Sequence, residues 1–259
     1  MQGIIFKDNS YKTEHKQLSM LARMLPSWVF YLKVFLTVGK ISRIARLSQF
    51  NAQAMHDSSL SILDALESVG VEVEITGIEN LKSLESSCVF VANHMSTLET
   101  LVLPSIIAPF KNLTFVVKEE LIRYPVFKHT MKATNPITVG RKNPREDFKA
   151  VMEGGVERLK AGIAILVFPQ TTRYTDLDPE KFNTIGIKLA KKASVPVIPL
   201  ALKTDAWGIG KYLKDIGKID PSKKVYFAFG EPLWIKGNGI EEHRKVIEFI
   251  QNKLTEWKK

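Results

Sequence analysis

The chain has 259 residues, 45% hydrophobic and 25% charged, which is enough apolar material for a full core and excludes a disordered polyelectrolyte. Lysine and arginine number 37 against 27 acidic residues, a formal charge of +10; this suits a membrane face or a phosphorylated substrate, and with no Lys/Arg block or nucleic-acid motif, nucleic acid is not expected among its partners. One cysteine, Cys88, excludes an intramolecular disulfide and fits a reducing compartment, and the mostly polar first twenty residues carry no signal-peptide pattern.

Residues 1–14 are polar and are expected to be loosely ordered. The stretch 16–39 is the most hydrophobic of the N-terminal part, with Trp28, Phe30, Tyr31 and Phe35, and Lys33 in its middle. It is too short and too interrupted to span a bilayer, which takes about 20 apolar residues. With Lys40, Arg43 and Arg46 following at helical spacing, it fits a helix lying in a membrane interface. The same pattern also fits a helix packed on its own domain. A second helix is expected over 50–69, with Leu60, Leu63, Leu66 and Val69 on one side and Gly70 as its stop.

Strands and helices then alternate. Residues 71–76 alternate strictly, as a half-exposed strand does. A strand at 87–92 leads to a helix at 96–108. Another strand at 113–117 is followed by Lys118-Glu-Glu-Leu, and a short one at 137–139 ends at Gly140-Arg141. A helix of about 145–160 stops at Gly162, and 163–168 is a continuous apolar run, as in a central strand covered on both faces. A helix at 184–193, strands at 195–202 and 224–229, and a charged helix from about 240 to 257 complete the series. The pattern predicts an α/β domain over 70–259, a mostly parallel central sheet flanked by helices, with 1–69 as a helical N-terminal attachment.

The first strand-to-helix turn of this series, Asn93-His94-Met-Ser-Thr-Leu-Glu99, holds a histidine and a carboxylate five positions apart. On one regular helix they would not meet. With His94 in the turn and Glu99 in the first helical turn they would, and a carboxylate on one imidazole nitrogen leaves the other free as a general base. Ser96 and Glu99 also have the spacing of a capping box, which starts the helix at Ser96 and gives Glu99 a purely structural alternative. Three cations follow other strand ends: Lys118, Arg141, and Arg173 in Phe168-Pro-Gln-Thr-Thr-Arg173. If the strands are parallel, all these ends share one edge with His94, where open α/β sheets bind ligands. Together the three cations would hold an anion such as phosphate, with Thr171, Thr172 and loop N–H groups as further donors. Singly, each fits a solvated surface cation.

Four blocks in this order resemble the glycerolipid acyltransferases of the 1-acylglycerol-3-phosphate acyltransferase type. They are Asn93-His-x4-Glu99; Ile137-Thr-Val-Gly-Arg141; Phe168-Pro-Gln-Thr-Thr-Arg173; and Val195-Pro-Val-Ile-Pro199, with a Lys118-Glu-Glu-Leu121 element between the first two. The resemblance covers roughly 85–205. It implies a glycerol-3-phosphate acyltransferase-like fold whose N-terminal helical hairpin docks on the membrane, peripheral or monotopic at its cytoplasmic face. It also implies transfer of a fatty acyl group from acyl-CoA or acyl carrier protein to a lysophosphatidate hydroxyl, giving phosphatidic acid. His94 would take the hydroxyl proton, Glu99 would orient His94, and Lys118, Arg141, Gln170, Thr171, Thr172 and Arg173 would bind the acceptor. No metal and no cofactor beyond the acyl donor is implied. The sequence departs from the family pattern at Glu99, where most members have Asp, and in the third block, where Gln170 and Thr171 replace Glu and Gly. Thr171 cannot enter glycine-only backbone conformations cheaply. A different lysophospholipid acceptor, or a non-catalytic lipid-binding relative, remains as the alternative.

Overall fold

A computed structural model describes residues 3–14, 17–47, 51–122, 134–170 and 172–258. Lys16 and Thr171 lie outside the described residues. The element order is β1 (Tyr11–Lys12), α1 (Met20–Met24), α2 (Pro26–Arg46), α3 (Ala52–Glu67), β2 (Val73–Thr76), α4 (Glu79–Lys82), β3 (Val89–Ala92), α5 (Leu98–Ile107), β4 (Leu113–Lys118), β5 (Ile137–Val139), α6 (Pro144–Lys160), β6 (Ala164–Val167), α7 (Ile185–Ala193), β7 (Val197–Lys203), β8 (Val225–Phe229) and α8 (Ile240–Glu256).

The strands form one eight-stranded sheet in the order β1-β2-β8-β7-β3-β6-β4-β5. It is mixed and mostly parallel, as the alternation of strands and helices predicts. β7 and β8 run antiparallel, as do β1 and β2; every other neighbouring pair is parallel. β3 and β6 are buried at every residue, because helices cover both faces there. One side packs α3 and α5 with the large cluster around Leu63, Phe90 and Phe227, and the other packs α6, α7 and α8 around Val91, Ile165 and Val246. Gly186 lets α7 settle on β3: a Cβ there would stand 2.6 Å from Cγ2 of Val91.

The N-terminal part is ordered differently from expectation. The stretch 16–39 is not one helix. Leu25 and Pro26 end α1 and open α2, with Pro26 in the first helical turn, where its missing N–H costs nothing. The polar segment before it contributes β1, paired to β2 through Tyr11↔Ile75. Its order has a polar cause: Glu67 of α3 is buried, and the Tyr11 hydroxyl donates to its Oε1 at 2.5 Å and the Thr13 hydroxyl at 2.6 Å. Packing therefore runs across the 69/70 boundary. Phe30, Val34 and Val38 of α2 belong to the same cluster as β2 and β3.

α5 carries Pro104 in its interior, where the missing N–H takes one bond out of the helix ladder. The Ser59 hydroxyl of α3 inserts instead: it accepts from the Ser105 N–H at 2.8 Å and donates to the Leu101 carbonyl at 2.6 Å. One α3 side chain thus repairs the ladder that proline disturbs and fixes the helix whose first turn holds Glu99.

Candidate functional site

Parallel β3, β6, β4 and β5 put their C-terminal ends on one edge, so His94, Arg173, Lys118 and Arg141 all lie along it. Adjacent strands are about 4.8 Å apart, so Lys118 and Arg141 stand progressively farther from His94 than Arg173 does.

β3 stops pairing at Ala92, and the Asn93 side chain takes over. Its Nδ2 donates to the Leu202 carbonyl and its Oδ1 accepts from the Leu202 N–H, both at 2.8 Å. The amide stands in for a peptide unit and lets the main chain leave the sheet into the His94 turn. The far side of that turn is held by β6. The His94 N–H donates to Oε1 of Gln170 at 2.9 Å, and the Tyr174 N–H donates to the His94 carbonyl at 2.9 Å. The imidazole stacks on Phe168, centroids 4.3 Å apart and planes 21° from parallel.

Glu99 is wholly buried. Its carboxylate accepts from the Met95 N–H at 2.6 Å, from the Ser96 N–H at 2.9 Å and from the Ser96 hydroxyl at 3.1 Å. Half of the capping box is present, since Glu99 reaches back to the Ser96 N–H. The helix nevertheless begins at Leu98, not Ser96: the Ser96 hydroxyl accepts from the Leu98 N–H, donates to Glu99 and shares a hydroxyl–hydroxyl contact of 3.0 Å with Oγ1 of Thr204 beyond β7. The same oxygen of Glu99 that receives Met95 faces Nδ1 of His94 at 3.6 Å. That is longer than a hydrogen bond, and Nδ1 is buried without one among the described residues. An approach of roughly half an ångström would make it. The ring keeps 17% exposure, none of it at Nδ1.

Burial pulls the Glu99 carboxyl up, but the His94 imidazole and the Ser96 and Met95 N–H donors outweigh it, and the group lies below its ordinary 4.5. A carboxyl depressed in the fold stabilises it above the unfolded value, and that contribution is lost as pH falls from about 4.5 through the folded pKa. The native chain's resistance to urea is expected to fall below about pH 4.5, and Glu99→Gln to flatten that dependence. Equal slopes in the two proteins would mean that Glu99 does not carry the linkage.

The cations differ in their surroundings. Arg173 reaches the His94 turn: Nη1 donates to Oγ1 of Thr97 at 2.6 Å and Nη2 to Oδ1 of Asp215 at 2.5 Å. Lys118 pairs with Glu120 at 2.6 Å, two residues on. Arg141 is exposed in a left-handed turn (φ 57°), with its N–H and that of Gly140 held by the Asp147 carboxylate. The structure thus brings Arg173 to Thr97, in the turn that holds His94 and Glu99, and leaves Lys118 and Arg141 farther along the same edge. Gln170 is buried beneath the turn rather than open to solvent, and Thr172 is exposed beside it. Spacing assigns no role to Asn93, Thr97, Thr204 or Asp215, and to Ser96 only that of a helix cap. Asn93, Ser96 and Thr97 lie inside the Asn-His turn and were legible as part of it. Asp215 carries no local signal.

A family model described as Acyltransferase matches residues 72–203, just over half of the chain. A 1-acyl-sn-glycerol-3-phosphate acyltransferase of Pseudomonas aeruginosa is 31% identical over 170 residues, 66% of this chain and 62% of that protein. A probable 1-acyl-sn-glycerol-3-phosphate acyltransferase of Mycoplasma genitalium is 33% identical over 168 residues, 63% of this chain and 54% of that protein. Less than two thirds of either relative's own length is covered. The crystal structure of the 1-acyl-sn-glycerophosphate (LPA) acyltransferase PlsC from Thermotoga maritima superposes with a TM-score of 0.68 over 92% of this chain and 97% of that one, at 23% identity, and shares the fold.

Proposed function

This chain belongs to the acyltransferase family, and from that premise we propose that it moves a fatty acyl group from acyl-CoA or acyl carrier protein to the free hydroxyl of 1-acyl-glycerol-3-phosphate, giving phosphatidic acid. The observation that carries the reading is the turn itself: a buried, ionised Glu99 facing Nδ1 of His94, with Arg173 bonded to the same turn through Thr97. A proton on Nδ1 leaves the Nε2 lone pair free. Nε2 takes the acceptor hydroxyl proton as its oxygen attacks the thioester carbonyl. The tetrahedral intermediate collapses, the C–S bond breaks, and the departing thiolate recovers the proton from the imidazolium. Glu99 stabilises that imidazolium in between. Arg173 receives the acceptor phosphate, exchanging its exposed partner Asp215 for a stronger anion. Lys118 and Arg141 add longer-range attraction from the same edge, and Thr171 and Thr172 are loop donors. The chemistry calls on the two substrates and these side chains, without a metal or a further cofactor.

The family pattern has Glu where this chain has Gln170. An amide oxygen accepts the His94 N–H as a carboxylate oxygen would, so the exchange bears on the turn more than on the acceptor. A different lysophospholipid acceptor is the second reading, and a lysolipid panel separates the two.

The chain acts at a membrane in this reading. α2 buries Phe30, Val34 and Val38 and leaves Trp28, Leu32, Phe35 and Leu36 exposed on its other face, with exposed Lys40, Arg43 and Arg46 at its end. Lys33 turns away to Oγ of Ser68 at 2.7 Å. No helix among the described residues is long and apolar enough to cross a membrane, which suits peripheral or monotopic attachment, at the cytoplasmic face.

Thiol release from palmitoyl-CoA with and without lysophosphatidate tests the reaction; release absent with every lysolipid and with carrier-protein donors would point to a non-catalytic relative. Arg173→Ala is expected to raise the acceptor KM about tenfold or more, since a charge-assisted pair is worth about 1.5–3 kcal/mol, with a smaller effect on kcat. A loss of kcat at unchanged KM would take Arg173 out of acceptor binding.

A further inference from the structure

Between β7 and β8, residues 208–218 form a compact loop whose ends meet, the Gly208 N–H donating to the Lys218 carbonyl at 3.0 Å. Its glycines permit the close folding. A Cβ on Gly217 would stand 1.8 Å from the Gly208 carbonyl oxygen, and one on Gly210 would stand 2.1 Å from that of Leu213. The loop is anchored inward: the Trp207 indole donates to the Asp215 carbonyl, and the Asp215 carboxylate holds Arg173 and Thr97. Anchoring of this kind normally serves to bury apolar side chains. Here it does the reverse. Ile209, Tyr212, Leu213 and Ile216 are exposed by 51%, 89%, 59% and 41%.

Two observations say what covers them. Lys211, Lys214 and Lys218 are exposed among these side chains, while the one acid of the segment, Asp215, is paired toward Arg173. The outer surface is therefore apolar and cationic together. The loop is also bound to α2: the Tyr31 hydroxyl donates to the Gly217 carbonyl at 2.5 Å, and the Ile219 N–H donates to the Ser27 hydroxyl at 3.0 Å. Trp28 and Leu32, the exposed neighbours of those two anchors on α2, extend the same surface.

We propose that residues 208–218 are a second lipid-contacting element, inserting Ile209, Tyr212, Leu213 and Ile216 into an anionic leaflet with Lys211, Lys214 and Lys218 at its headgroups. This rests on the membrane reading of α2 and extends it to a segment outside the family match, which ends at residue 203. Interleaved apolar and basic side chains suit an interface in which acyl chains and charged headgroups lie a few ångströms apart. Because Asp215 ties the loop to Arg173, the acceptor side of the site would sit at the leaflet from which a lysolipid arrives.

Cys88 makes the test clean. It is wholly buried, and burial pushes its thiol up to about 12, so it stays silent to thiol reagents. Tyr212→Cys and Leu32→Cys, each labelled with an environment-sensitive fluorophore, report the loop and α2 separately. On vesicles of phosphatidylglycerol and phosphatidylcholine, both labels are expected to shift to the blue, brighten several-fold and be quenched by lipid-borne nitroxide. Phosphatidylcholine alone or high salt should weaken the response at position 212. A label at 212 that stays aqueous while the one at 32 enters the lipid overturns the proposal and leaves α2 docking intact. Two aqueous labels overturn both. A label at 212 that responds without lipid, in step with a doubling of sedimenting mass, assigns the surface to a second copy of the chain and also overturns it.

Discussion

His94→Ala is expected to lower acceptor-dependent thiol release about 10²–10⁴-fold, the range that a positioned general base supplies. The loss should fall on turnover, because in the proposed mechanism His94 takes the proton of the reacting hydroxyl, and the Arg173 contact with Thr97 does not involve it. Stability should change far less. The His94 main chain still donates to Gln170 and accepts from the Tyr174 N–H, and Glu99 keeps Met95 and Ser96. A melting temperature lowered by a few degrees alongside a collapsed rate is the expected pair of results. Exogenous imidazole, seated against Phe168 where the native ring stacks at 4.3 Å, should restore part of the rate. An alanine variant with native acceptor-dependent turnover would remove His94 from the mechanism.

Glu99→Ala reverses the balance: it should damage the fold as well as the rate. Three donors converge on that carboxylate in a region closed to water, and alanine leaves the Met95 and Ser96 N–H groups without partners and the imidazole without its anion. Breaking a buried charged network of this kind costs about 3–5 kcal/mol, a large part of the about 5–15 kcal/mol that holds an ordinary domain together. Glu99→Gln preserves an acceptor oxygen and the shape, and should recover most of the stability while turnover stays low, because the neutral amide no longer stabilises an imidazolium. Chemical denaturation beside steady-state kinetics separates the two. Full turnover in Glu99→Gln would confine the residue to its capping role.

What was legible in the sequence was whatever a local pattern encodes. The continuous apolar runs around Phe90 and Leu166 announce strands covered on both faces, and β3 and β6 are buried at every residue. The turn was legible too, because a strand that stops at Asn93-His94 before an amphipathic run has few other solutions. Direction was not. Nothing in 224–229 says that β8 runs against β7, since a buried strand reads the same either way. Order near Tyr11 was hidden because its cause, Glu67, lies 56 positions away. Asp215 was hidden for the same reason, 42 positions from Arg173. The cations at the strand ends could be placed on one edge by topology, but the distances that single out Arg173 depend on a loop packed against α2.

The Asn93 amide has a consequence of another kind. Leu202 is the one position of β7 where the β3 side of the ladder ends on a side chain, so protection of its N–H against solvent exchange depends on Asn93 staying in place. The flanking N–H groups answer to backbone pairing and open only with the sheet. Deuterium uptake at Leu202, measured against its neighbours in β7, would therefore time the local breathing of the His94 turn while the rest of the sheet stays closed.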